Sequence, residues 1–439
     1  MTSATHAAGF SRARRIGTLV TLAAAAAVSQ SFGRFTYSLL FTDLRDGFGL
    51  SNTVAGALGS LNLLMYLAGS LAVALTVGRT GLSGAVRIGV AGNVVGLALL
   101  AWSPNVGIAA LALALTGFSA AGVWVGTPGL AAELLGPRKR GAAAGWLTGG
   151  VGCGMVAAAA LDALLQGPSD AVSSGAVPSG LDSSEAALAN ASRSHLRDVY
   201  LIEFLLGAVV LVVLAVAVRR WARTPGRTGF RGARDALAKV PQAGRLVTAY
   251  ALHAFIVATM LTFIVGHLEG YPDIFTAWGA ELAFSSIGVG CIAGGPVFGR
   301  MADRIGRRRS VTIGFAVSFI SIITSTVYPL LAFVGPLLAW VSAIAFGMAF
   351  SGIIASIAAR VSDSLAGDEF GAAYGLATIL FGLGLAAGPP VGGALADWFD
   401  SFGPAFGLAV AACAISVALI GWGDDSAPVS PLPGSASAS

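Results

Sequence analysis

The stretch GPVFGRMADRIGRRR, Gly295 to Arg309, decides how the rest of the chain is read. An apolar segment ends at Gly299, a basic run with one acid follows, and a second apolar segment begins at Val311. Short loops between membrane helices keep positive charge on the cytoplasmic side, and this loop has that composition. The stretch therefore predicts a cytoplasmic hairpin between two membrane-spanning helices.

The composition of the whole chain points to the same class of protein. Of its 439 residues, 56% are hydrophobic and only 11% are charged, whereas soluble domains carry about 25% charged residues. The net charge of +5 arises from arginines in short loops beside apolar runs, so it indicates membrane topology and not a nucleic-acid partner. The three cysteines fall inside predicted spans, which argues against a disulfide framework or a metal cluster.

Apolar runs long enough to cross a bilayer recur along the entire chain. About 20 apolar residues are needed to cross about 30 Å of hydrocarbon. This length predicts an all-α membrane protein with twelve transmembrane helices. The predicted spans lie near residues 16–41, 53–77, 85–102, 106–135, 141–163, 199–220, 246–268, 280–299, 310–328, 333–361, 370–394 and 403–422.

The distribution of arginine over the loops predicts the orientation. With the N-terminus inside, the outer loops receive only Arg45, Arg193 and Arg197, and all other basic clusters face the cytoplasm. We therefore expect a multi-pass protein of the plasma (inner) membrane of the cell, with both termini cytoplasmic.

Two long connections divide the chain. The loop from Gln166 to Arg197 is rich in Ser, Ala, Gly and Pro and predicts a polar outer loop with a short helix around Ser184 to Ala191. Residues 221–245 carry six basic side chains and predict an amphipathic or loosely ordered cytoplasmic linker. The predicted units are an N-terminal half (1–220), this linker, and a C-terminal half (246–439) that ends in a short polar tail.

The two halves show an internal repeat at a constant offset of 230 residues. Two parallel six-helix repeats are therefore expected, with the same orientation in the membrane. The aligned pairs are Gly117 with Gly347, Gly122 with Gly352, Glu133 with Asp363, Gly141 with Gly371, Gly145 with Gly375, Thr148 with Thr378, Gly152 with Gly382, and Gly154 with Gly384.

The loop also resembles a family signature. Its pattern G-x-x-x-D-R-x-G-R resembles the signature loop of the major facilitator superfamily (MFS) of secondary transporters. A generic positive loop explains the arginines but neither the acid nor the glycine spacing. The resemblance implies a gating loop that braces its helix against the opposite half near Gly141. The matching residues are Gly299, Asp303, Arg304, Gly306 and Arg307.

Two further stretches resemble the same superfamily. The eleventh span resembles its glycine-proline motif at Gly384, Gly388, Pro389 and Gly392, where small residues let helices approach closely and a proline adds a kink. The segment QSFGRFTYSLLFTDL, Gln30 to Leu44, resembles a poorly characterised bacterial branch. In the first half the sequence VGRTG places Gly78 where the signature has its acid.

Polar residues inside the bilayer are the candidate site residues, because they are costly there without a function. The resemblance implies that the first, fourth, seventh and tenth spans line a central cavity. Gln30, Arg34 and Tyr37 share one face of the first helix, and Arg34 suits a carboxylate-bearing cargo. The alternatives for Arg34 are a buried partner such as Glu203, or a position at the outer membrane surface.

The remaining candidates are more evenly balanced between cargo binding and helix packing. Asn62 forms an i, i+4 pair with Tyr66 on the second helix, and Trp124 offers an aromatic wall in the fourth span. Glu203 and His253 are the candidates to carry a coupling proton. An interhelical hydrogen bond is the alternative for Asn62 and His253.

These observations predict a secondary active transporter that moves a small solute by alternating access. By analogy with the family we expect proton coupling, an organic anion as cargo, and a monomer in the lipid bilayer. The alternatives are a drug or metabolite efflux pump of the same fold, or a non-transporting sensor or scaffold. We expect no catalytic residue, metal or cofactor, since the only lysines, Lys139 and Lys239, lie outside a P-loop pattern.

Overall fold

The computed structural model is helical throughout the part of the chain that it describes, which is residues 11–135, 140–165, 185–218, 230–271, 274–275, 277–327, 336–365 and 368–421. The first helix, α1 (Arg12–Ala26), continues through a π-helical segment (Ala27–Phe35) into α2 (Thr36–Leu39). The later helices are α3 (Phe41–Gly47), α4 (Asn52–Ala101), α5 (Val106–Leu135), α6 (Arg140–Leu165), α7 (Glu185–Ala217), α8 (Phe230–Ala238), α9 (Ala243–Glu269), α10 (Ala277–Ile305), α11 (Arg307–Val327), α12 (Leu337–Ser364), α13 (Asp368–Phe399) and α14 (Gly403–Gly421).

Eleven segments within these ranges are long and apolar enough to cross a membrane. They coincide with eleven of the predicted spans, and α4 supplies two of them, so the all-α membrane class is confirmed. The span predicted at 310–328 corresponds to α11, which is not among the eleven. It begins with three arginines, and the stretch that follows them, Ser310 to Val327, carries no charged side chain.

The prediction of a separate short helix around Ser184 to Ala191 is wrong. That stretch is the beginning of α7, which runs without a break from Glu185 to Ala217 and includes the sixth span. Its sequence EAALANA consists mostly of good helix formers, so a helix already nucleated in the membrane continues outward through it. The rest of the predicted outer loop, residues 166–184, lies outside the described residues.

The predicted linker contains α8, and this helix has two different faces. Ala236 and Leu237 are buried, while Arg234 and Asp235 are exposed. Directly after it, the Nζ of Lys239 donates to Oε1 of Glu369 at 2.6 Å and so connects the linker to α13. α8 is therefore amphipathic, which is one of the two forms expected for the linker, whereas residues 219–229 and the tail 422–439 lie outside the described residues.

The two halves make equivalent contacts at equivalent positions. Gly117 of α5 lies directly against the backbone of Asn62 in the second span, and its repeat partner Gly347 lies against the backbone of Ile287 in the eighth. The chain also turns in a similar way after the second span of each half. The helical conformation of α4 is interrupted at Gly81, which has φ +69°, and Gly306, between α10 and α11, has φ +92°. Residues other than glycine rarely adopt these φ values. The repeat found in the sequence is therefore a repeat of packing as well.

The halves meet where glycines of α6 and α10 face each other. Gly152 packs against Gly288, and Gly145 packs against Gly295. A Cβ added at Gly295 would lie 2.6 Å from the Cα of Gly145, which is closer than real Cβ contacts. In lipid no hydrophobic force drives helices together, so this close approach of small residues contributes to the contact between the two halves.

We expect the Gly295→Ala variant to have a lower melting temperature than the wild type in detergent. Alanine gains about 0.5–1 kcal/mol of helix propensity, but overpacking at a tight contact costs about 1–3 kcal/mol. The matched control is Gly299→Ala on the same helix, where an added Cβ meets nothing within 4 Å. If the melting temperature rose equally in both variants, the close contact between Gly295 and Gly145 would be contradicted.

Candidate functional site

A cavity of about 400 Å³ lies between the two halves, at the level of the π-helical segment. The first half lines it with Gln30, Arg34, Phe35, Tyr66, Trp124, Thr148 and Val151. The second half lines it with Val257, Phe350, Ile354, Phe381 and Leu385. A neighbouring cavity of about 380 Å³ shares Arg34, Phe35 and Leu385 and extends towards Tyr37, Asn62 and Pro389.

Arg34 belongs to both cavities and is only 5% exposed. Its Nη1 donates to Oε1 of Gln30 at 3.1 Å, and its guanidinium carbon lies 4.6 Å from the centre of the Tyr66 ring. Its Nε and Nη2 have no hydrogen-bond partner among the described residues. The centre of the Phe35 ring lies 5.7 Å from the guanidinium carbon, so one amide and two aromatic rings hold the guanidinium, and Nε and Nη2 are left for another molecule.

The local backbone contributes to this position. Gln30 and Arg34 lie in the π-helical segment, where the N–H of Thr36 bonds to the carbonyl of Ser31, five residues earlier. Such segments are rare and occur frequently at functional sites. The altered turn changes which side chains face the cavity, and nothing in the residue pattern indicated it.

Glu203 does not serve as the partner of Arg34. Glu203 is fully buried, and its Oε1 accepts a hydrogen bond from Oγ1 of Thr36 at 2.5 Å. Its Oε2 has no partner within the described chain. The ion pairs found there do not include one between Glu203 and Arg34. The burial of Arg34 also argues against a position at the membrane surface.

Tyr37 and Asn62 make interhelical hydrogen bonds at the wall of the second cavity. The Tyr37 hydroxyl donates to the carbonyl of Ala55. The two N–H groups on Asn62 Nδ2 are shared among three acceptors, the carbonyls of Gly33 at 3.2 Å and Leu113 at 2.8 Å and the Thr116 hydroxyl at 2.9 Å. Asn62 therefore joins the first, second and fourth spans, which is the packing alternative stated above.

Two aromatic side chains complete the first-half wall. Trp124 lines the cavity, and its Nε1 has no partner in the described part of the chain. Tyr66 lines the same cavity and carries the Arg34 guanidinium on its ring. Its spacing from Asn62 placed it on the right helix face, but sequence alone did not show that it stacks on Arg34.

His253 lies one layer behind the cavity. Its Nε2 donates to the carbonyl of Phe350 at 3.2 Å, so this nitrogen carries the hydrogen. The rings of Phe315, Phe350 and Phe381 surround it at centroid distances of 5.7, 6.0 and 6.3 Å. Because Phe350 and Phe381 themselves line the cavity, His253 supports the wall from behind.

One buried polar contact was missed by the sequence analysis. Oδ1 of Asp162 lies 2.6 Å from Nε2 of His195, and Oδ2 of Asp43 lies 3.9 Å from the same nitrogen. This contact joins α3, α6 and α7. The residues come from three separate helices, and the chain between α6 and α7 has no recognisable pattern, so spacing offered no signal.

The described contacts of the signature loop lie within the second half. Oδ1 of Asp303 accepts from Nη1 of Arg307 at 2.6 Å, and Nε of Arg307 donates to Oδ2 of Asp363 at 3.1 Å. Asp303 is 67% exposed on its side chain. The expected contact of Asp303 and Arg304 with the start of the fifth span does not occur among the described contacts, and the side chains of residues 140–144 lie outside them. Gly306 turns the chain so that Arg307 lies close to Asp303.

The glycine-proline motif also packs within its own half. Gly384 lies against Ala251, Gly388 against Ala258, and Gly392 against the ring of Phe263, all on α9. Pro389 contributes to the second cavity. These contacts agree with simple helix packing between the seventh and eleventh spans.

The described residues hold no cluster of three or more His, Cys, Asp or Glu side chains that is able to bind a metal ion. The site therefore consists of one cation, a few neutral polar groups and a large aromatic and aliphatic surface. It is suited to binding a small molecule between two helical bundles, which is the arrangement of membrane transporters.

The comparisons with known proteins give the family. Residues 26–421 match the family described as "Uncharacterised MFS-type transporter YbfB", and the chain belongs to this family of MFS transporters. A search of curated proteins finds no match.

Solved structures share the fold. The MFS transporter FucP in its outward conformation matches with a TM-score of 0.63 at 15% identity, over 92% of this chain and 97% of that one. A bacterial homologue of the human lysosomal transporter Spinster, inward-facing and unoccupied, matches with a TM-score of 0.62 at 16% identity, over 94% of this chain and 95% of that one. At these identities the likeness supports the fold alone.

We expect Asn62→Ala to lower the melting temperature. It removes the amide donor that connects to Gly33, Leu113 and Thr116 on the neighbouring helices, and such bonds contribute about 0.6 kcal/mol on average within membranes. Thr76→Ala on the same helix is the control, because its hydroxyl bonds only to its own backbone at Ala72. Equal melting temperatures for the two variants would show that Asn62 does not hold the helices together.

Proposed function

We propose that this protein is a secondary active transporter that moves a small organic anion by alternating access. Its cargo site is the cavity between the halves, with Arg34 binding the carboxylate. The observation that carries the proposal is the pair of unpartnered donors, Nε and Nη2, on a buried arginine that lines this cavity. A buried charge without a partner is costly, so a site that retains one has a use for it.

The geometry around Arg34 favours a carboxylate over other partners. Gln30 and Tyr66 hold the guanidinium without neutralising it, since one is an amide and the other an aromatic ring. A planar guanidinium with two free N–H groups binds a carboxylate through two parallel hydrogen bonds. An anion bound there would receive the only positive charge among the described lining residues.

We further propose that transport is coupled to protons, with Glu203 as the protonation site. Its carboxyl is buried, and it bonds to Thr36, two residues after Arg34 on the same helix. A change in the charge of Glu203 would therefore act on the segment that positions Arg34. His253 is the second candidate, and its contact with Phe350 links it to the opposite wall of the cavity.

The cellular setting is part of the same proposal. The positive-inside distribution supports an inner (plasma) membrane protein with cytoplasmic termini, and α8 then lies at the cytoplasmic surface. The protein acts as a monomer, because each chain contains both halves that form the cavity. The six-span halves at 1–220 and 246–439 then move relative to each other around Arg34.

We expect Arg34→Lys to weaken binding of the cargo at least about tenfold, and Arg34→Ala to abolish it. An ammonium does not reproduce the two-point contact, and a charged hydrogen bond contributes about 1.5–3 kcal/mol. The assay is counterflow of a panel of radiolabelled organic anions and drug-like cations in proteoliposomes. Arg87→Lys is the control, because Arg87 bonds only to the Ser83 carbonyl among the described contacts.

The same assay separates the alternatives. Counterflow of cations that survives Arg34→Ala would favour an efflux pump. Binding without counterflow of any solute would favour a sensor. Unchanged anion affinity in Arg34→Ala would remove Arg34 from the site.

We expect Glu203→Gln to abolish pH-driven accumulation of the transported anion while exchange of that anion across the membrane continues. Exchange needs no net proton movement, whereas accumulation driven by a pH gradient does. Glu369→Gln is the control, since Glu369 is an exposed partner of Lys239. Loss of both accumulation and exchange in Glu203→Gln, together with a lower melting temperature, would indicate a structural role.

A further inference from the structure

We infer that the cargo is a monoanion with an apolar body, whose carboxylate binds Arg34 in the first half and whose body contacts the second half. This inference rests on the proposed anion transport and specifies its substrate class. It follows from the unequal chemistry of the two cavity walls.

The polar groups of the main cavity come from the first half. That half contributes the side chains of Gln30, Arg34, Tyr66, Trp124 and Thr148. The facing wall consists of Val257, Phe350, Ile354, Phe381 and Leu385, none of which carries a polar side chain. A molecule that spans the cavity therefore has a polar end on one side and an apolar surface on the other.

The charge count allows only one negative group. Among the described residues that line either cavity, Arg34 is the one charged side chain. A second carboxylate would meet the apolar wall and remain buried without a partner, which costs several kcal/mol. His253 does not offer a charge to such a group, because it is not among the described residues that line either cavity.

Hydroxyl groups on the body are excluded for a similar reason. The second-half wall of the main cavity offers no side-chain donor or acceptor, so a sugar acid would lose its hydrogen bonds to water without replacement. An alkyl or aromatic body instead gains from burial, at about fourfold in affinity for each added methylene.

The apolar wall is held in place by contacts outside the cavity. The Phe381 ring lies 4.5 Å from the ring of Tyr250, and the carbonyl of Phe350 accepts a hydrogen bond from His253. Both phenylalanines are therefore positioned before cargo arrives. A preformed apolar surface loses little conformational entropy on binding and so discriminates by shape and hydrophobicity.

The experiment is calorimetric titration of the full-length protein in nanodiscs with a defined set of acids. Acetate, butanoate and hexanoate vary the body, hexanedioate adds a second charge, gluconate adds hydroxyls, and hexanamide removes the charge. We expect affinity to rise about fourfold per methylene from acetate to hexanoate. Hexanedioate, gluconate and hexanamide should each bind at least tenfold more weakly than hexanoate.

A variant of the apolar wall provides an independent measurement. Val257→Thr keeps the side-chain shape and adds a hydroxyl to the wall, so it should weaken hexanoate binding about three- to tenfold and leave acetate binding unchanged. Val289→Thr on the exposed face of α10 is the matched control and should change neither.

The outcomes separate the two proposals. If anions bind in an Arg34-dependent manner but affinity is independent of chain length, or hexanedioate or gluconate binds as well as hexanoate, this inference is overturned and anion transport stands. If hexanamide binds as tightly as hexanoate, the requirement for one negative charge on the cargo is wrong. If no acid shows binding that Arg34→Lys weakens, the proposed function itself fails.

Discussion

A buried guanidinium imposes the main constraint on this structure. Arg34 lies between two helix bundles with one amide contact and two aromatic contacts, and none of these removes its charge. Such a group is stable only if the surrounding helices are fixed firmly enough to hold these neighbours in place. Asn62 and Tyr37 provide that support, because their hydrogen bonds hold the first span against the second and fourth.

The contact between the halves has a different character from the contacts inside each half. Within the first half, hydrogen bonds such as those of Asn62 join three helices. Between the halves, α6 and α10 meet through Gly145, Gly152, Gly288 and Gly295, which contribute close packing and no directional side-chain bond. A surface of this kind separates and re-forms at lower cost than a hydrogen-bonded one. Alternating access requires two rigid halves with a weaker interface between them.

The sequence predicted the elements that depend on composition and spacing. Apolar length located the spans, the offset of 230 residues located the repeat, and the i, i+4 spacing placed Gln30 and Arg34 on one face. It did not predict contacts that depend on tertiary placement. The π-helical segment, the stacking of Arg34 on Tyr66 and the contact of Asp162 with His195 arise from how separate helices meet, and no local pattern encodes that. The partners of Asp303 were expected in the opposite half by family analogy, and the described ones lie on α11 instead.

The repeat explains why the halves share a backbone and differ in chemistry. Positions that face a neighbouring helix at close range, such as Gly117 and Gly347, tolerate no larger side chain in either copy, so the packing stays alike. Positions that face the cavity or solvent are free of that constraint. The first half has its buried cation there, and the second half has the acid of the signature loop, Asp303, where the first half has Gly78. In the proposed function the two halves therefore have different roles. The first half binds the charge of the cargo, and the second half contributes an apolar wall and an ion-paired loop. A cargo with two unlike ends matches such a pair of unlike walls, because each end is stabilised by only one of them.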